Sequence, residues 1–356
     1  MAEGIHVYGG NTIRRLIALA GVGMIGLVAC TEAETPTTTT AKGTPTPALS
    51  TSSGPADAAV AGPVGAIVFA RFDSSLGSTV VYTVNPDGTD LRPLFTDFAE
   101  FPHWSPSGDL VSIFCCDDGM AAHFVDPDTG SFRELAPPDP ALEVHCGNWS
   151  SDGQRVACES FGVDDPRRNG IYSIRTSDGK GLKRITSNPG GEDAPGDYSP
   201  DGQQLVFIRS HPNGEVGLFV VGVNGSDLHR LVPAGVLVEP PVFFAGSWSP
   251  NGDEILFVAR ASPDRLPTIW IVNANGGGMH QLTISPACGG AASNLNSTAC
   301  LYPSWSPDGT KIIYTRVEAG QEHGNVYGVN ADGSGLFQIT DTGDATQADW
   351  NPSSAT

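Results

Sequence analysis

A five-residue motif recurs along this chain at nearly regular intervals, which points to a repeat architecture. Each copy is an aromatic residue followed by a small polar residue, a proline or serine, a polar residue and a glycine. The copies begin at Trp104, Trp149, Tyr198, Trp248, Trp305 and, in truncated form, Trp350. Their spacings are 45, 49, 50, 57 and 45 residues. A period of about 45 to 50 residues, with several short strands per unit, is typical of a β-propeller.

Each copy reads as a turn followed by strands. In Trp305-Ser-Pro-Asp-Gly309, proline presets φ, and glycine takes the left-handed position that a tight turn needs. Strand-forming runs follow at 312–315 and 326–329, and a third run holds Leu336 and Ile339 after an Asp-Gly turn. The strand that leads into the next aromatic residue is the fourth. The repeat therefore predicts four-stranded antiparallel blades.

The two ends of the array complete each other. Trp350 begins a unit for which only six residues remain, whereas residues 67–71 resemble the run at 255–260 that follows another copy of the motif. The N-terminal part then supplies three strands of the last blade and the C-terminal part supplies one. This closes the ring and leaves no free sheet edge there. We predict an all-β, six-bladed β-propeller over residues 64–356.

Composition agrees with this fold and argues against several functions. The chain holds 44 Gly and 28 Pro, too many for a helical bundle, and 39 acidic against 19 basic residues give a net charge of -20. Nucleic acids and anionic lipid surfaces are bound through clustered Lys and Arg. Because 19 cations are spread over 356 residues, we expect no basic patch, no nucleic-acid partner and no charge-driven docking on a membrane.

The N-terminus predicts export. Arg14 and Arg15 precede an apolar run from Leu16 to Ala29, which is short for a membrane span and typical of a signal peptide. The run ends in Leu27-Val-Ala-Cys30, which resembles the bacterial lipobox, whose cysteine becomes lipidated and N-terminal after cleavage. The alternative is an ordinary secretory signal with an unrelated cysteine. We expect a lipoprotein signal peptide at 1–29.

Residues 30–63 predict a tether. Thr, Ser, Pro and Ala dominate this segment, and it lacks large aromatic residues, so it cannot bury enough apolar surface to fold. A flexible chain of this length spans roughly 30 Å. We expect the propeller to be anchored to a membrane through lipidated Cys30. The anchored side would be the outer membrane or periplasm in a diderm cell, and otherwise the cell surface.

The repeats resemble those of TolB-like, WD-type propellers, whose motif centres on Pro-x-Trp-Ser-Pro-Asp-Gly. The resemblance covers the chain after residue 64 and implies a six-bladed propeller that binds other envelope proteins. Some relatives carry a hydrolase domain after the propeller, and some other propellers are lyases. This sequence shows no hydrolase domain, no Gly-x-Ser-x-Gly nucleophile motif and no His-Glu-x-x-His. We therefore assign no catalytic residue, metal or cofactor.

The residue immediately before each aromatic residue is polar in all six units. These residues are His103, Asn148, Asp197, Ser247, Ser304 and Asp349. Alternation along a strand places them on the opposite face from the aromatic residues. We expect them to ring the mouth of the central channel, where they would bind a cation or a polar ligand group. The alternative is that they only form hydrogen bonds with neighbouring blades or water.

Six cysteines besides Cys30 predict disulfides in an exported protein. They are Cys115, Cys116, Cys146, Cys158, Cys288 and Cys300. Cys288 and Cys300 bracket the insert that lengthens one repeat, and a bridge between them would close a short loop. Pairing among the other four stays open. A zinc site is an alternative, but the Cys-x-x-Cys spacing is absent.

Two functions remain open from the sequence. The first is a non-enzymatic interaction or scaffold module that presents one face to an envelope protein. The second is a glycan- or small-ligand-binding protein, or a lyase or hydrolase, that uses the channel mouth with His103, His145 and Asp197 as acid, base or ligand groups. A propeller supports either one, because function depends on the site and not on the fold.

Overall fold

The computed structural model describes residues 66–354, apart from 116–120, 141, 161–164, 240–244, 283, 285–287, 295, 320 and 322. The predicted signal peptide, Cys30, the tether and Cys116 lie outside the described residues. Within them, no helix is long and apolar enough to cross a membrane. The only helices described are two 3-10 turns, η1 (Pro166–Arg168) and η2 (Pro352–Ser354).

The described residues form 25 strands in six antiparallel sheets. The first eleven strands are β1 (Ile67–Asp73), β2 (Ser78–Val84), β3 (Arg92–Phe95), β4 (Glu100–Trp104), β5 (Val111–Phe114), β6 (Ala122–Val125), β7 (Phe132–Leu135), β8 (Val144–Trp149), β9 (Arg155–Ser160), β10 (Gly170–Arg175) and β11 (Lys183–Arg184). The others are β12 (Glu192–Tyr198), β13 (Gln204–Ser210), β14 (Val216–Gly222), β15 (His229–Arg230), β16 (Leu237–Val238), β17 (Ser247–Trp248), β18 (Glu254–Arg260), β19 (Thr268–Asn273), β20 (His280–Gln281), β21 (Thr298–Trp305), β22 (Lys311–Glu318), β23 (Asn325–Asn330), β24 (Phe337–Gln338) and β25 (Ala345–Trp350).

These sheets are the blades of a six-bladed propeller. Blades 1, 2, 3 and 5 are β4–β7, β8–β11, β12–β15 and β21–β24. In blade 4 the innermost position is shared by β16 and β17, which both pair with β18. The closing blade has the order β25-β1-β2-β3, so one C-terminal strand joins three N-terminal strands. The predicted fold and closure are confirmed.

The core lies between blades. One cluster joins Ala157 and Ile171 of blade 2 to Leu205 and Phe207 of blade 3, and all four side chains are fully buried or nearly so. The middle strands of a blade therefore bury both faces. The motif aromatics take part in this packing: Trp248 of blade 4 lies in a cluster with Val206 of blade 3. Face-to-face burial of this kind leaves only the blade ends and outer edges for solvent.

The motif turns are held by a repeated hydrogen-bond pattern. In blade 3, Ser199 Oγ donates to Asp201 Oδ1 at 2.6 Å and accepts the backbone N–H of Gln204 at 2.9 Å. The glycine that follows, Gly202, has a φ of +69°. A buried serine hydroxyl thus satisfies the first backbone donor of the next strand. We conclude that the motif aspartate has a structural role in the turn.

Two disulfides are present among the described residues. Cys288 joins Cys300, the bridge that the sequence predicts. Cys146 joins Cys158, which lies directly opposite it on the neighbouring strand of blade 2. Cys115 is buried and belongs to neither bridge. The pairing that the sequence left open is therefore settled for Cys146 and Cys158.

Candidate binding site in the central channel

Five of the six polar residues that precede the motif aromatics line one cavity in the channel. They are His103, Asp197, Ser247, Ser304 and Asp349. The cavity has a volume of about 30 Å³, room for about two water molecules or one small polar group. Asn148 does not line it, so the structure brings together five members of the expected ring.

β-Bulges in the innermost strands of blades 1, 2, 3 and 5 and of the closing blade explain this arrangement. In blade 5, Leu301 pairs with Thr315 and Ser304 pairs with Ile313, so two residues between them face only one on the partner strand. Blade 2 bulges differently, because Gly147 is its one extra residue. Regular alternation is therefore lost just before the aromatic residue, and the polar residue of blade 2 takes another direction. Bulges commonly re-aim side chains beside functional sites.

Three large residues that line the cavity have left-handed backbones. Phe101, Tyr302 and Gln347 have φ angles of 49°, 51° and 56°. Each lies three positions before the aromatic residue of its unit, and the three units are neighbours around the ring. A left-handed residue that is neither glycine nor asparagine costs about 1–3 kcal/mol, so surrounding structure must hold it in place. We call these three residues the channel lip.

Contacts between blades hold the channel lip. Gln347 Oε1 accepts the backbone N–H of Phe101 at 2.8 Å, while its own N–H donates to Thr315 Oγ1 at 3.1 Å. The rings of Phe101 and Tyr302 meet edge to face with centroids 6.1 Å apart. The sequence motifs do not predict this lip. The only signal in the sequence is the size of these three residues. At the same position, the other units have the smaller residues Cys146, Pro195 and Ala245.

Asp349 ties three blades together at the cavity. Its Oδ2 accepts the backbone N–H of Trp104 at 2.9 Å, and its Oδ1 accepts the Ser304 hydroxyl at 2.9 Å. His103 Nδ1 lies 3.9 Å from Oδ2. A carboxylate with two donors of this kind is well satisfied. Asp349 therefore fixes the geometry of the cavity.

Asp197 is the titrating group of the cavity. Burial raises the pKa of Asp197 to about 6; His103 opposes this rise and the Asp349 carboxylate adds to it. A hydrogen bond from Ser247 also favours the ionised form. Burial likewise raises the pKa of Tyr302, to about 12, and of Glu100. The cavity thus contains one carboxyl group, that of Asp197, whose charge changes near neutral pH.

The cavity lining offers carboxyl, hydroxyl, imidazole and aromatic side chains. Among the residues that the structure describes, no group of three or more His, Cys, Asp or Glu side chains could hold a metal. His145, the other histidine considered from sequence, is not part of the cavity lining. Its ring packs against Phe114 at a centroid distance of 5.0 Å. Carboxyl groups, hydroxyls and aromatic rings are therefore the groups with which the cavity could bind a ligand.

The fold and this cavity define a six-bladed β-propeller with a polar site in its central channel. The chain belongs to the TolB beta propeller domain family, whose model matches residues 141–354.

Solved structures of low sequence identity share the fold. TolB from Acinetobacter baumannii is 20% identical with a TM-score of 0.60, covering 80% of this chain and 66% of that one, just under two thirds. A protein assigned as TolB from Agrobacterium tumefaciens is 17% identical with a TM-score of 0.58, covering 82% and 96%. A chain of a nidogen–laminin complex is 10% identical with a TM-score of 0.54, covering 80% and 97%.

Proposed function

We propose that this chain is an exported, lipid-anchored propeller that acts as a non-enzymatic interaction or scaffold module of the bacterial cell envelope. Membership of the TolB propeller family supports a role in protein interaction at the envelope. The lipobox-like sequence before Cys30 and the tether after it support the anchor. The observation that carries the proposal is the channel cavity with its left-handed lip.

The backbone strain of the channel lip supports binding in this cavity. Three residues in unfavourable backbone conformations lie in one cavity, while each of the other strained non-glycine residues described, Asp90 and Asp227, is an aspartate in an exposed turn. Strain concentrated in a cavity is typical of a preorganised binding site. Tyr302 and Phe101 offer aromatic surface, and Asp349 and Ser304 offer polar groups. A partner protein would insert one side chain here.

A photo-crosslinking amino acid placed at Tyr302 tests the interaction. The chain is produced in its own cells with its signal peptide and Cys30 intact. The proposal expects one dominant envelope protein crosslinked from this position. The matched control is the same amino acid at Phe337, on outer strand β24 of the same blade. Equal products from both positions would contradict binding at the channel.

The Cys30→Ser variant tests the anchor. The wild-type chain is expected in the membrane fraction and in the detergent phase of a phase separation, because the acyl chains partition there. The variant should leave both fractions, whereas a Thr31→Ser control should behave as the wild type. Retention of the Cys30→Ser mature chain in the membrane fraction would argue for another means of attachment.

A second candidate function uses the same cavity for a glycan or small ligand, with binding alone or with lyase or hydrolase chemistry. The observation in its favour is that the pKa of Asp197 is about 6, close to the value that suits a general acid or base. His103 is the second titratable group in reach of the cavity. Turnover with a bell-shaped pH profile that Asp197→Asn abolishes would support this candidate over the interaction module.

A further inference from the structure

The cations of this acidic protein are concentrated on one blade. Of 19 Lys and Arg residues, seven lie between Arg155 and Arg184, in blade 2, although the chain as a whole carries a charge of -20. The same 30 residues hold only four acidic residues. The expectation that the chain has no basic patch is therefore wrong for this blade, because an average over the sequence hides a local excess.

Six of these cations form a continuous surface that we call the blade 2 edge. They are Arg155, Arg167, Arg175, Lys180, Lys183 and Arg184. Contacts link its two ends through outer strand β11: Arg155 Nη2 donates to Gly181 O at 2.5 Å, and Arg184 Nη2 donates to Arg167 O at 2.8 Å. Apart from Arg155, which is half-buried, the side chains are exposed. The edge thus presents its charge outward.

Nearby carboxylates neutralise only part of the blade 2 edge. Asp178 pairs with Arg175 at 2.7 Å, and Asp165 pairs with Arg167 at 2.7 Å. Among the described residues, Arg155, Lys180, Lys183 and Arg184 form no ion pair. Blade 3 differs, since its Arg209 and Arg230 pair with Asp193 and Glu215. Four cations of the edge are therefore uncompensated in the sense that no described carboxylate lies within ion-pair distance of them.

The two uncompensated arginines are held in place by neutral groups. Arg184 donates to the backbone oxygens of Thr186, Arg167 and Asn169, and its guanidinium lies 5.5 Å from the ring centre of Tyr172. Arg155 donates to Ser173 Oγ and to two backbone oxygens. A guanidinium fixed in this way keeps its full charge and loses little further entropy when an anion binds.

We propose that the blade 2 edge docks on anionic phospholipid headgroups of the membrane that holds the tether. This inference rests on the lipid anchor of the proposed function. The edge is an exposed outer surface of the blade, which suits an extended anionic surface such as a membrane.

Because the tether holds the propeller near the membrane, a weak contact is sufficient for docking. A lipid-anchored chain with a span of roughly 30 Å keeps the propeller near the bilayer, so docking is effectively intramolecular. Each cation near an anionic leaflet adds to the attraction, and the four uncompensated cations act together. The net charge of the whole chain matters little at this range, because salt screens the distant carboxylates. The propeller would then stand with blade 2 against the membrane.

Lysine labelling provides a direct test, because the chain has only four lysines: Lys42, Lys180, Lys183 and Lys311. The full lipidated protein is placed on excess vesicles of phosphatidylcholine, or of phosphatidylcholine with about one third phosphatidylglycerol. A water-soluble amine reagent is added and each lysine is quantified by mass spectrometry. Lys180 and Lys183 should react about fivefold or more slowly on the anionic vesicles, and about 1 M salt should abolish the difference.

Lys311 of blade 5 is the internal control and should react equally on both vesicles. Equal reaction of Lys180 and Lys183 on both would overturn the proposal, and so would equal protection on neutral vesicles. Flotation with neutral vesicles tests the anchor separately, and the lysine ratios are measured whether or not the chain floats. If the edge binds an acidic protein instead of lipid, Lys180 and Lys183 should react equally on both kinds of vesicle.

Two charge variants leave the lysines in place as reporters. The Arg155→Gln, Arg184→Gln pair should lose most of the protection on anionic vesicles. The matched control is Arg316→Gln in blade 5, because Arg316 also lies over a tyrosine ring, that of Tyr327 at 5.8 Å. Unchanged protection in the pair, with an unfolding transition like that of the wild type, would also overturn the proposal.

Discussion

Asp197 experiences opposing influences in the channel. Burial and the Asp349 carboxylate favour its neutral form, whereas His103 and the Ser247 hydroxyl favour its ionised form. The first influence is the strongest, so the pKa of Asp197 rises from 3.8 to about 6 in the folded chain. The folded state then binds a proton more tightly than the unfolded chain. Its contribution to stability is complete below about pH 4 and is lost as the pH rises through about 6.

We expect Asp197→Asn to remove this pH dependence. Between pH 4 and pH 7, the free energy of unfolding of the wild type should fall by about 2 kcal/mol relative to the variant, since one pKa unit corresponds to about 1.4 kcal/mol and most of the shift from 3.8 to about 6 is expressed over this range. Urea unfolding at several pH values measures the difference. If the free energy of unfolding changes with pH in the same way in both proteins, the pKa of Asp197 is not raised in the folded chain.

Asp201 supplies a control of opposite sign. Its hydrogen bonds with Ser199 and with the backbone of Gln203 lower the pKa of this exposed carboxyl below 3.8. The stability from these bonds is therefore present above the unfolded pKa and is lost as the pH falls through the folded one. Asp201→Asn should change the acid limb of the stability curve and leave the region near pH 6 as it is in the wild type.

At the scale of the elements, the motif turn requires glycine because its last residue has a left-handed backbone. Gly309 has a φ of +69°, and an added Cβ would lie 3.6 Å from the nearest atom, in ordinary contact. The cost of Gly309→Ala is therefore conformational, about 1–2 kcal/mol of the free energy of unfolding. Gly147 is the matched control, because it lacks a positive φ and a Cβ there would have nothing within 4 Å. Gly147→Ala should be neutral or slightly stabilising in thermal unfolding; equal losses would contradict this reading.

The turns and strands of each blade could be predicted from the sequence. The directions of the side chains near the channel could not. Turn residues and strand-forming runs predicted the blades because both depend on nearest neighbours. The ring of polar residues was inferred by assuming regular alternation. The bulges at Tyr302–Pro303 and at Gly147 break that alternation in different ways, which is why Ser304 reaches the cavity and Asn148 does not. A bulge depends on pairing between strands and leaves little trace in one strand.

At the scale of the molecule, closure joins the two ends of the described chain. Ile67 pairs with Trp350 and Arg71 with Ala345, and Arg71 also pairs with Asp344 at 3.0 Å through their side chains. Without β25, the closing blade would expose β1 as a free edge and lose the packing of Trp350 against Ile313 and Val326 of blade 5. Ring closure of this kind links all six blades into one cooperative unit.

Deletion of residues 345–356 should therefore destabilise the whole propeller. For the deletion variant we expect an early, broad unfolding transition and faster hydrogen exchange in β1. For the wild type we expect one cooperative transition. Removal of residues 355–356 alone, which follow η2, is the control and should have no effect. A deletion that lowers stability only locally, with protection kept in blades 2 to 4, would show that the blades fold independently.

Closure also decides how the propeller bears mechanical load. β1 lies between β25 and β2, with seven paired residues on its β2 side, and the N-terminal segment leads directly into it. A pull along β1 strains the hydrogen bonds of both neighbours at the same moment, in shear, whereas an outer strand such as β3 would peel away one bond at a time. A propeller pulled through its N-terminal segment would thus resist tension along the strongest direction of its closing sheet.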